Sequence, residues 1–144
     1  MARIYRLEHK TLKSKLYPNT PTFTSPYEIG SYLFVDSKAY NVNLADLTNA
    51  FKTLSDLHNA DNNYRPAPHQ DGIELEFDRE FCGSPSVDDL AEWFEGVFDE
   101  FLQLGFVVRE YIVDSTKIGN SELQCVARYD TIKKSKIIKI NLER

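Results

Sequence analysis

The chain has 144 residues, of which 42% are hydrophobic and 12% aromatic; this composition excludes a disordered chain, which lacks the apolar area that offsets conformational entropy. Its 22 acidic and 17 basic side chains give a net charge of −5, and no run of about 18 apolar residues is present, which excludes a membrane-spanning helix. The N-terminal stretch is polar and lacks the apolar core of a secretory signal, so we expect a protein of the cytoplasm in which it is made.

The first third of the chain predicts two strands and a helix. Residues 2–8 alternate in polarity and predict a strand, whereas three prolines within residues 9–30 predict an irregular arm. Residues 31–36 are β-branched and aromatic and predict a second, short strand. A helix is predicted over residues 44–58, with Asn43 as its N-cap. Its apolar positions recur at spacings of three and four, at Leu44, Leu47, Phe51 and Leu54.

The middle of the chain predicts a loop, a strand and a second helix. Residues 59–72 are rich in Asn, Asp, Pro and Gly and predict a loop. Residues 73–77 alternate strictly between apolar and acidic side chains and predict a strand. An amphipathic helix is predicted over residues 86–104, with Ser86 as its N-cap. Gly96, in the middle of this helix, costs about 1 kcal/mol relative to Ala and indicates close packing or a kink.

The last third of the chain predicts strands. Gly105 is expected to end the second helix in a left-handed conformation. Three strands follow, at residues 106–113, 122–130 and 135–142. The order of elements predicts an α+β fold, with a mixed or antiparallel sheet of about five or six strands and two packed amphipathic helices. We expect residues 1–144 to form a single domain.

Acidic side chains are concentrated in one segment. Residues 71–100 carry eleven acids and one base, a net charge of −10, whereas the rest of the chain carries 16 bases and 11 acids, a net charge of +5. A row of carboxylates can copy the charge spacing of a nucleic-acid backbone, so that a nucleic-acid-binding protein would bind it. The alternative is a solvated helix exterior. The candidate partner-binding residues are Glu74, Glu76, Asp88, Asp89, Glu92, Glu95, Asp99 and Glu100.

Basic side chains are concentrated towards the two ends of the chain. They could bind nucleic acid, but Lys136 and Lys139 lie on a predicted strand, where we interpret them as protection of a sheet edge. Nucleic acid is therefore the less favoured partner. The lysines concerned are Lys10, Lys13, Lys15, Lys133, Lys134, Lys136 and Lys139.

A second candidate site lies on the loop at residues 58–71, together with the first strand. Loops carry binding residues disproportionately often, and this loop combines His, Arg, Tyr and Asp side chains. Such a set could form a pocket for a small, nucleotide-like anion. The alternative is that Asn and Asp cap turns here and that Arg65 pairs with a neighbouring acid. The candidate ligand-binding residues are Tyr5, Arg6, Glu8, His58, Arg65 and Asp71.

No motif in the sequence indicates catalysis. The three histidines are scattered, without HExxH or CxxC, so we predict no metal site. The absence of GxxxxGK[ST], GxGxxG and GxSxG argues against nucleotide cofactors and a serine nucleophile. Cys82 and Cys125 are expected to be reduced core thiols. We therefore predict no cofactor and no catalytic residue, and we expect a binding protein rather than an enzyme.

Several segments, IYRLEH, RPAPHQDGI, FCGSPSVDDLAEWF and LGFVVREYIV, resemble a group of small proteins of phages and prophages. The resemblance covers about residues 3–113 and implies a phage or mobile-element accessory protein. The resemblance supplies this setting and no mechanism; by association with small proteins of phages we expect action by protein–protein binding, with inhibition of a host-defence system such as CRISPR–Cas as the expected activity. The alternatives are a small-anion-binding or transferase-like domain and a structural accessory protein. The matching positions are Tyr5, Arg6, Glu8, His58, Asn59, Pro66, Pro68, Asp71, Cys82, Gly83, Leu90, Trp93, Phe94, Gly105 and Phe106.

Overall fold

The computed structural model describes residues 1–14, 16–28, 42–58, 65–76 and 78–140. These residues form an α+β fold, which confirms the predicted fold class. The strands are β1 (Ala2–His9), β2 (Glu80–Gly83), β3 (Phe106–Val113), β4 (Lys117–Ile118), β5 (Cys125–Arg128) and β6 (Lys134–Ile138). The helices are α1 (Leu44–Leu57), α2 (Val87–Trp93) and α3 (Phe98–Gln103), and short 3-10 turns cover Pro26–Glu28, Pro68–Asp71 and Tyr129–Thr131. The strand predicted for residues 31–36 lies outside the described residues.

The six strands form two three-stranded sheets rather than one larger sheet. One sheet has the order β1-β3-β6 and the other the order β2-β5-β4. In the first, β3 and β6 are antiparallel, with Glu110 opposite Lys136. In the second, β2 and β5 are antiparallel, with Phe81 opposite Ala127. The predicted strands near residues 2–8, 106–113, 122–130 and 135–142 are confirmed, the last two in shorter form.

The strand predicted for residues 73–77 is wrong. Residues 73–76 belong to no strand, and β2 begins only at Glu80. Side chains satisfy the backbone here in place of a strand ladder: Lys117 Nζ donates to the carbonyl oxygen of Glu74 at 2.9 Å, and a Glu80 carboxylate oxygen accepts from the backbone N–H of Glu76 at 2.9 Å. Alternation of side chains predicted the strand, but one contact within the segment and one with a residue 43 positions away satisfy the backbone instead.

The single helix predicted over residues 86–104 is also wrong. It is divided at Gly96, which lies between α2 and α3 with φ +96°, in the left-handed region that favours glycine. A Cβ atom at this position would lie 2.7 Å from Leu57 Cδ1. The close packing and the kink that this glycine indicates are therefore both confirmed.

The predicted helix caps are confirmed. Asn43 Oδ1 accepts from the backbone N–H groups of Ala45 and Asp46 at 2.8 and 3.2 Å. Ser86 Oγ accepts from the N–H of Asp89 and donates to the Asp89 carboxylate at 2.8 Å. These contacts satisfy N–H groups that have no partner inside the first turn of a helix. Gly105 follows α3 with φ +92°, as expected.

The chain divides into two compact units. The first contains Met1–Arg6, Arg65–Glu95 and Val108–Ile138. In this unit the Phe81 ring packs edge to face on Tyr111 and stacks on Tyr129, with centroid distances of 5.5 and 4.8 Å. Its core side chains are Ile4, Phe81, Tyr111, Val113, Cys125 and Ala127.

The second unit contains Leu7–Tyr64, Gly96–Val107 and Lys139–Arg144. Phe101 of α3 and Phe106 of β3 pack edge to face in it, with ring centroids 5.2 Å apart. Its buried apolar side chains include Leu47, Ala50, Leu54, Val97, Phe98, Phe101 and Phe106. The amphipathic pattern of α1 is confirmed, because its predicted apolar positions Leu47 and Leu54 are among these.

Candidate functional site

Six of the eight acidic residues predicted to bind a partner lie in the first unit. Asp88 and Glu92 are one helical turn apart on α2, and Glu95 follows the end of that helix; all three are exposed. Asp89 is half-buried, and its carboxylate accepts from Ser86 Oγ. The other two, Glu74 and Glu76, are exposed and precede β2. Asp99 and Glu100 belong to α3 in the second unit, where Asp99 is half-buried and Glu100 exposed.

Asp88, Glu92 and Glu95 together are named the acidic α2 surface. Within the described part of the chain, none of these three carboxylates has a cation at ion-pair distance. Glu76, by contrast, lies 3.9 Å from Arg79 Nε. The acidic α2 surface therefore presents three negative charges to solvent without a neighbouring positive charge.

Arg65 stabilises the end of the helix that carries this surface. Its Nε donates to the carbonyl oxygen of Trp93 at 3.1 Å, and its Nη2 donates to that of Glu92 at 2.8 Å. The guanidinium carbon lies 5.9 Å from the centroid of the Trp93 ring. The last carbonyl groups of a helix have no partner within it and carry partial negative charge, which a cation offsets. Arg65 was predicted to bind an anion, but two of its N–H groups donate to backbone carbonyl groups of α2.

Asp71 is buried and joins two loops of the first unit. Its Oδ1 accepts from the backbone N–H of Ser121 at 2.6 Å, and its Oδ2 accepts from Ser121 Oγ at 2.7 Å and Gln124 Nε2 at 3.2 Å. Gln124 Nε2 also donates to the carbonyl oxygen of Pro66 at 3.1 Å. The carboxylate is therefore occupied in connecting the loop before β2 to the loop between β4 and β5.

Tyr5 and Arg6, on β1, also have partners within the first unit. Tyr5 OH donates to Glu110 Oε2 at 2.7 Å. Burial, together with this hydrogen bond and the nearby negative charge, raises the pKa of Tyr5. The Arg6 guanidinium lies 5.5 Å from the centroid of the Phe81 ring, at cation–π distance.

The two remaining ligand candidates lie in the second unit. Glu8 is fully buried, and its Oε2 accepts from the backbone N–H of Phe23 at 3.4 Å. His58, at the C-terminal end of α1, lies with Nδ1 2.7 Å from Tyr27 OH. The six candidates for the anion pocket are thus divided between the two units, and each has contacts of its own.

The chain matches a known protein family over residues 1–141, described as Bacteriophage T4 Y00F protein. The chain belongs to this family. No curated protein and no solved structure matches it. The family match confirms the resemblance to small phage proteins.

One buried acid of this Y00F family member, Glu80, was not singled out by sequence analysis. Its Oε2 lies 3.0 Å from Lys117 Nζ, and its Oε1 accepts from the backbone N–H of Glu76. Burial alone would raise the pKa of Glu80, but these hydrogen bonds and the Lys117 charge outweigh it, so the pKa lies below its ordinary value of 4.5. No local pattern distinguishes Glu80 from the exposed acids around it.

Replacing Glu80 with Gln is expected to lower the free energy of unfolding by about 1 kcal/mol at neutral pH. Because the folded-state pKa is lowered, the charged form stabilises the fold above pH 4.5, and this contribution is lost as the pH falls through the folded-state pKa. Urea unfolding of both proteins from neutral to acidic pH measures the difference. Glu74→Gln, which changes an exposed acid without a cation at ion-pair distance among the described residues, is the control. A difference for Glu80→Gln that does not shrink in acid would contradict the expectation.

Both cysteines are free thiols. Cys125 is fully buried in the core, and this burial raises its pKa to about 12. It is therefore protonated at neutral pH and a poor nucleophile, in agreement with the predicted core thiol. Cys82 lies on β2, opposite Val126 of β5, and is half-buried.

In the described ranges, no group of three or more His, Cys, Asp or Glu side chains is arranged to hold a metal ion. No helix among these residues has both the length and the apolar character required to cross a membrane. Neither observation adds a site to those described above.

Proposed function

We propose that this member of the Y00F family is a phage accessory protein that binds a host protein through its acidic α2 surface. The partner would be a nucleic-acid-binding protein of a host-defence system such as CRISPR–Cas, and binding would inhibit it. The observation that carries this proposal is the acidic α2 surface itself, whose three exposed carboxylates have no cation at ion-pair distance among the described residues.

The spacing of these carboxylates supports a partner that binds nucleic acid. With a helical rise of about 1.5 Å per residue, Asp88 and Glu92 are separated by about 6 Å along the axis of α2. The phosphates of one strand of a duplex advance by about 3.4 Å each along the duplex axis, so this separation corresponds to about two phosphate steps along that axis. A row of Lys or Arg side chains that binds phosphates could therefore meet these carboxylates.

The surroundings of the surface support binding as well. Arg65 fixes the C-terminal end of α2 through two backbone carbonyl groups, so the helix that presents the charges is held in place. A partner's cations would not have to displace an internal ion pair. Exposed charges steer association, and this effect weakens when salt shortens the screening length.

Pull-down from a lysate of the phage's host, with mass spectrometry of the captured proteins, tests this proposal. The double variant Glu92→Lys/Glu95→Lys should weaken capture at least about tenfold, since each replacement turns an attraction into a repulsion. The matched control is Asp56→Lys/Glu122→Lys, which reverses two exposed acids elsewhere with the same change in net charge. We expect the control to capture the partner as the wild type does, and high salt to release it.

Two results would count against the proposal in different ways. Equal capture by both double variants would reject the acidic α2 surface as the binding site but keep a binding function. Capture of no macromolecule by the wild-type protein would reject the function class. In that case a thermal-shift screen of nucleotides would test the small-anion alternative.

A further inference from the structure

The sheet β1-β3-β6 has two faces of different character in the first unit. Because side chains alternate along a strand, Ile4, Tyr111 and Val113 point to one face, where they belong to the core. The opposite face, named the outer face, carries polar and charged side chains from all three strands. Its polar and charged members are Arg3 and Tyr5 of β1, Glu110 of β3, and Lys134 and Lys136 of β6; Val108 and Ile112 of β3 and Ile138 of β6 lie on the same face.

One buried carboxylate organises the outer face. Glu110 is only 6% exposed and accepts a 2.7 Å hydrogen bond from Tyr5 OH. Arg3 Nε and Lys136 Nζ each lie 3.8 Å from one of its oxygens, and these two side chains are 62% and 67% exposed. Two exposed cations thus share one buried acid, at distances too long for strong hydrogen bonds.

The outer face has an excess of positive charge. Lys134 is exposed and has no acid at ion-pair distance among the described residues. The face therefore carries three cations and one carboxylate, a net charge of +2 in a chain whose net charge is −5. The neighbouring Lys133 is not counted, because it pairs with Asp114 at 3.2 Å.

We propose that the outer face binds the phosphate backbone of a nucleic acid, an activity separate from that of the acidic α2 surface. Lys134 and Lys136, two residues apart on a strand, are separated by about 6.7 Å, which corresponds to two phosphate steps of about 3.4 Å each along a duplex axis. Arg3 approaches from the far edge of the sheet, about 9.6 Å away across two strand spacings. The three cations thus line a strip over which a backbone can pass.

Glu110 explains how the cations can exchange partners. When Arg3 and Lys136 turn to phosphate oxygens, the buried carboxylate keeps its hydrogen bond from Tyr5 OH. Glu110 therefore holds the two cations in position without binding them tightly.

Protection of an edge strand explains only part of this arrangement. Lysines on an edge deter pairing with another strand, and β6 is an edge strand with exposed side chains at Lys134 through Ile137. Because β1 is the other edge strand, edge protection accounts for Arg3 as well. It does not require that cations from both edges share a buried carboxylate on the central strand, and this feature distinguishes a binding face from a protected edge.

Fluorescence anisotropy with a short labelled oligonucleotide, single-stranded and as a duplex, tests the proposal on the purified full chain. The wild type should bind at low salt, and Lys134→Glu/Lys136→Glu should weaken binding at least about tenfold. For the single strand, this variant should also reduce the slope of log affinity against log salt by about 1.4, or 0.7 for each lost phosphate contact. Glu110→Gln, which removes the competing charge but keeps an acceptor for Tyr5, should raise affinity on the order of fivefold.

The matched control is a pair of single charge reversals, Lys134→Glu and Lys52→Glu, the latter at an exposed position of α1. Equal losses from the two would show attraction to overall charge and overturn the proposal. The absence of binding by the wild type at low salt would also overturn it. So would displacement of the oligonucleotide by a poly-glutamate peptide at equal charge concentration, which would point to an acidic protein. No host protein is present, so these outcomes are independent of the proposed function.

Discussion

Replacing Asp71 with Ala is expected to lower the free energy of unfolding by about 3–5 kcal/mol. The carboxylate is only 3% exposed and accepts three hydrogen bonds, from Ser121 N–H, Ser121 Oγ and Gln124 Nε2. Without it, these donors lose their acceptor in a site that water reaches poorly, and the loop before β2 loses its connection to the loop after β4. Urea unfolding followed by circular dichroism at neutral pH measures the change.

Two further variants show whether this loss comes from the hydrogen bonds. Ser121→Ala removes one donor but leaves the carboxylate with Ser121 N–H and Gln124 Nε2, so it should cost only about 1 kcal/mol. Asp78→Ala, which truncates an exposed acid of the same segment, should leave stability nearly unchanged. A loss for Asp71→Ala no larger than that for Asp78→Ala would contradict the role assigned to Asp71.

The stability expected of Asp71 bears on the two candidate sites. Asp71 belongs to the predicted anion pocket, yet its carboxylate is occupied by internal donors. A variant that fails to bind an anion could therefore simply be unfolded, and binding assays on it require a measured folded fraction. The lysines of the outer face and the carboxylates of the acidic α2 surface are exposed, so the binding of their variants can be compared directly with that of the wild type.

The features that the sequence predicted correctly are those determined by neighbouring residues. The caps at Asn43 and Ser86 involve partners only two or three residues away. An Asn or Ser side chain at the start of a helix accepts from N–H groups of the first turn, so the local sequence is enough to predict this contact. Gly96 correctly indicated close packing and a kink for a similar reason. Glycine is unfavourable inside a helix, so its presence there indicates a left-handed backbone conformation or a close neighbour, and Gly96 has both.

The features that the sequence missed depend on residues far apart in the chain. Glu110 and Tyr5 are 105 positions apart, and Asp71 and Ser121 are 50 apart, so no local pattern joins either pair. The acidic segment shows the consequence. The net charge of this segment includes Asp71 and Glu80, but both side chains are buried, and their partners lie on the loop after β4 and on β4 itself.

Replacing Gly83 with Ala is expected to cost about 3 kcal/mol. A Cβ atom there would lie 2.6 Å from the carbonyl oxygen of Tyr5 and 2.7 Å from Ile4 Cγ1, and a backbone atom cannot move aside as a flexible side chain can. The contact falls where Tyr5 and Ser84 exchange backbone hydrogen bonds of 2.9 and 2.8 Å, which join β1 to the end of β2. Urea unfolding measures the loss.

The sign of the change in the free energy of unfolding separates two effects of replacing glycine: a steric contact in the folded state and a restriction of the unfolded chain. Gly83 is not in the left-handed region, so its backbone conformation is open to alanine. Without a steric contact, alanine would stabilise the fold by about 0.4–1 kcal/mol, because it restricts the unfolded chain. Cys82→Ala, in the same strand but half-buried and without an added atom, is the control and should have a small effect. A stabilising Gly83→Ala would therefore show that β1 does not lie against β2 at this point, and would remove the support that Tyr5 gives to Glu110 on the outer face.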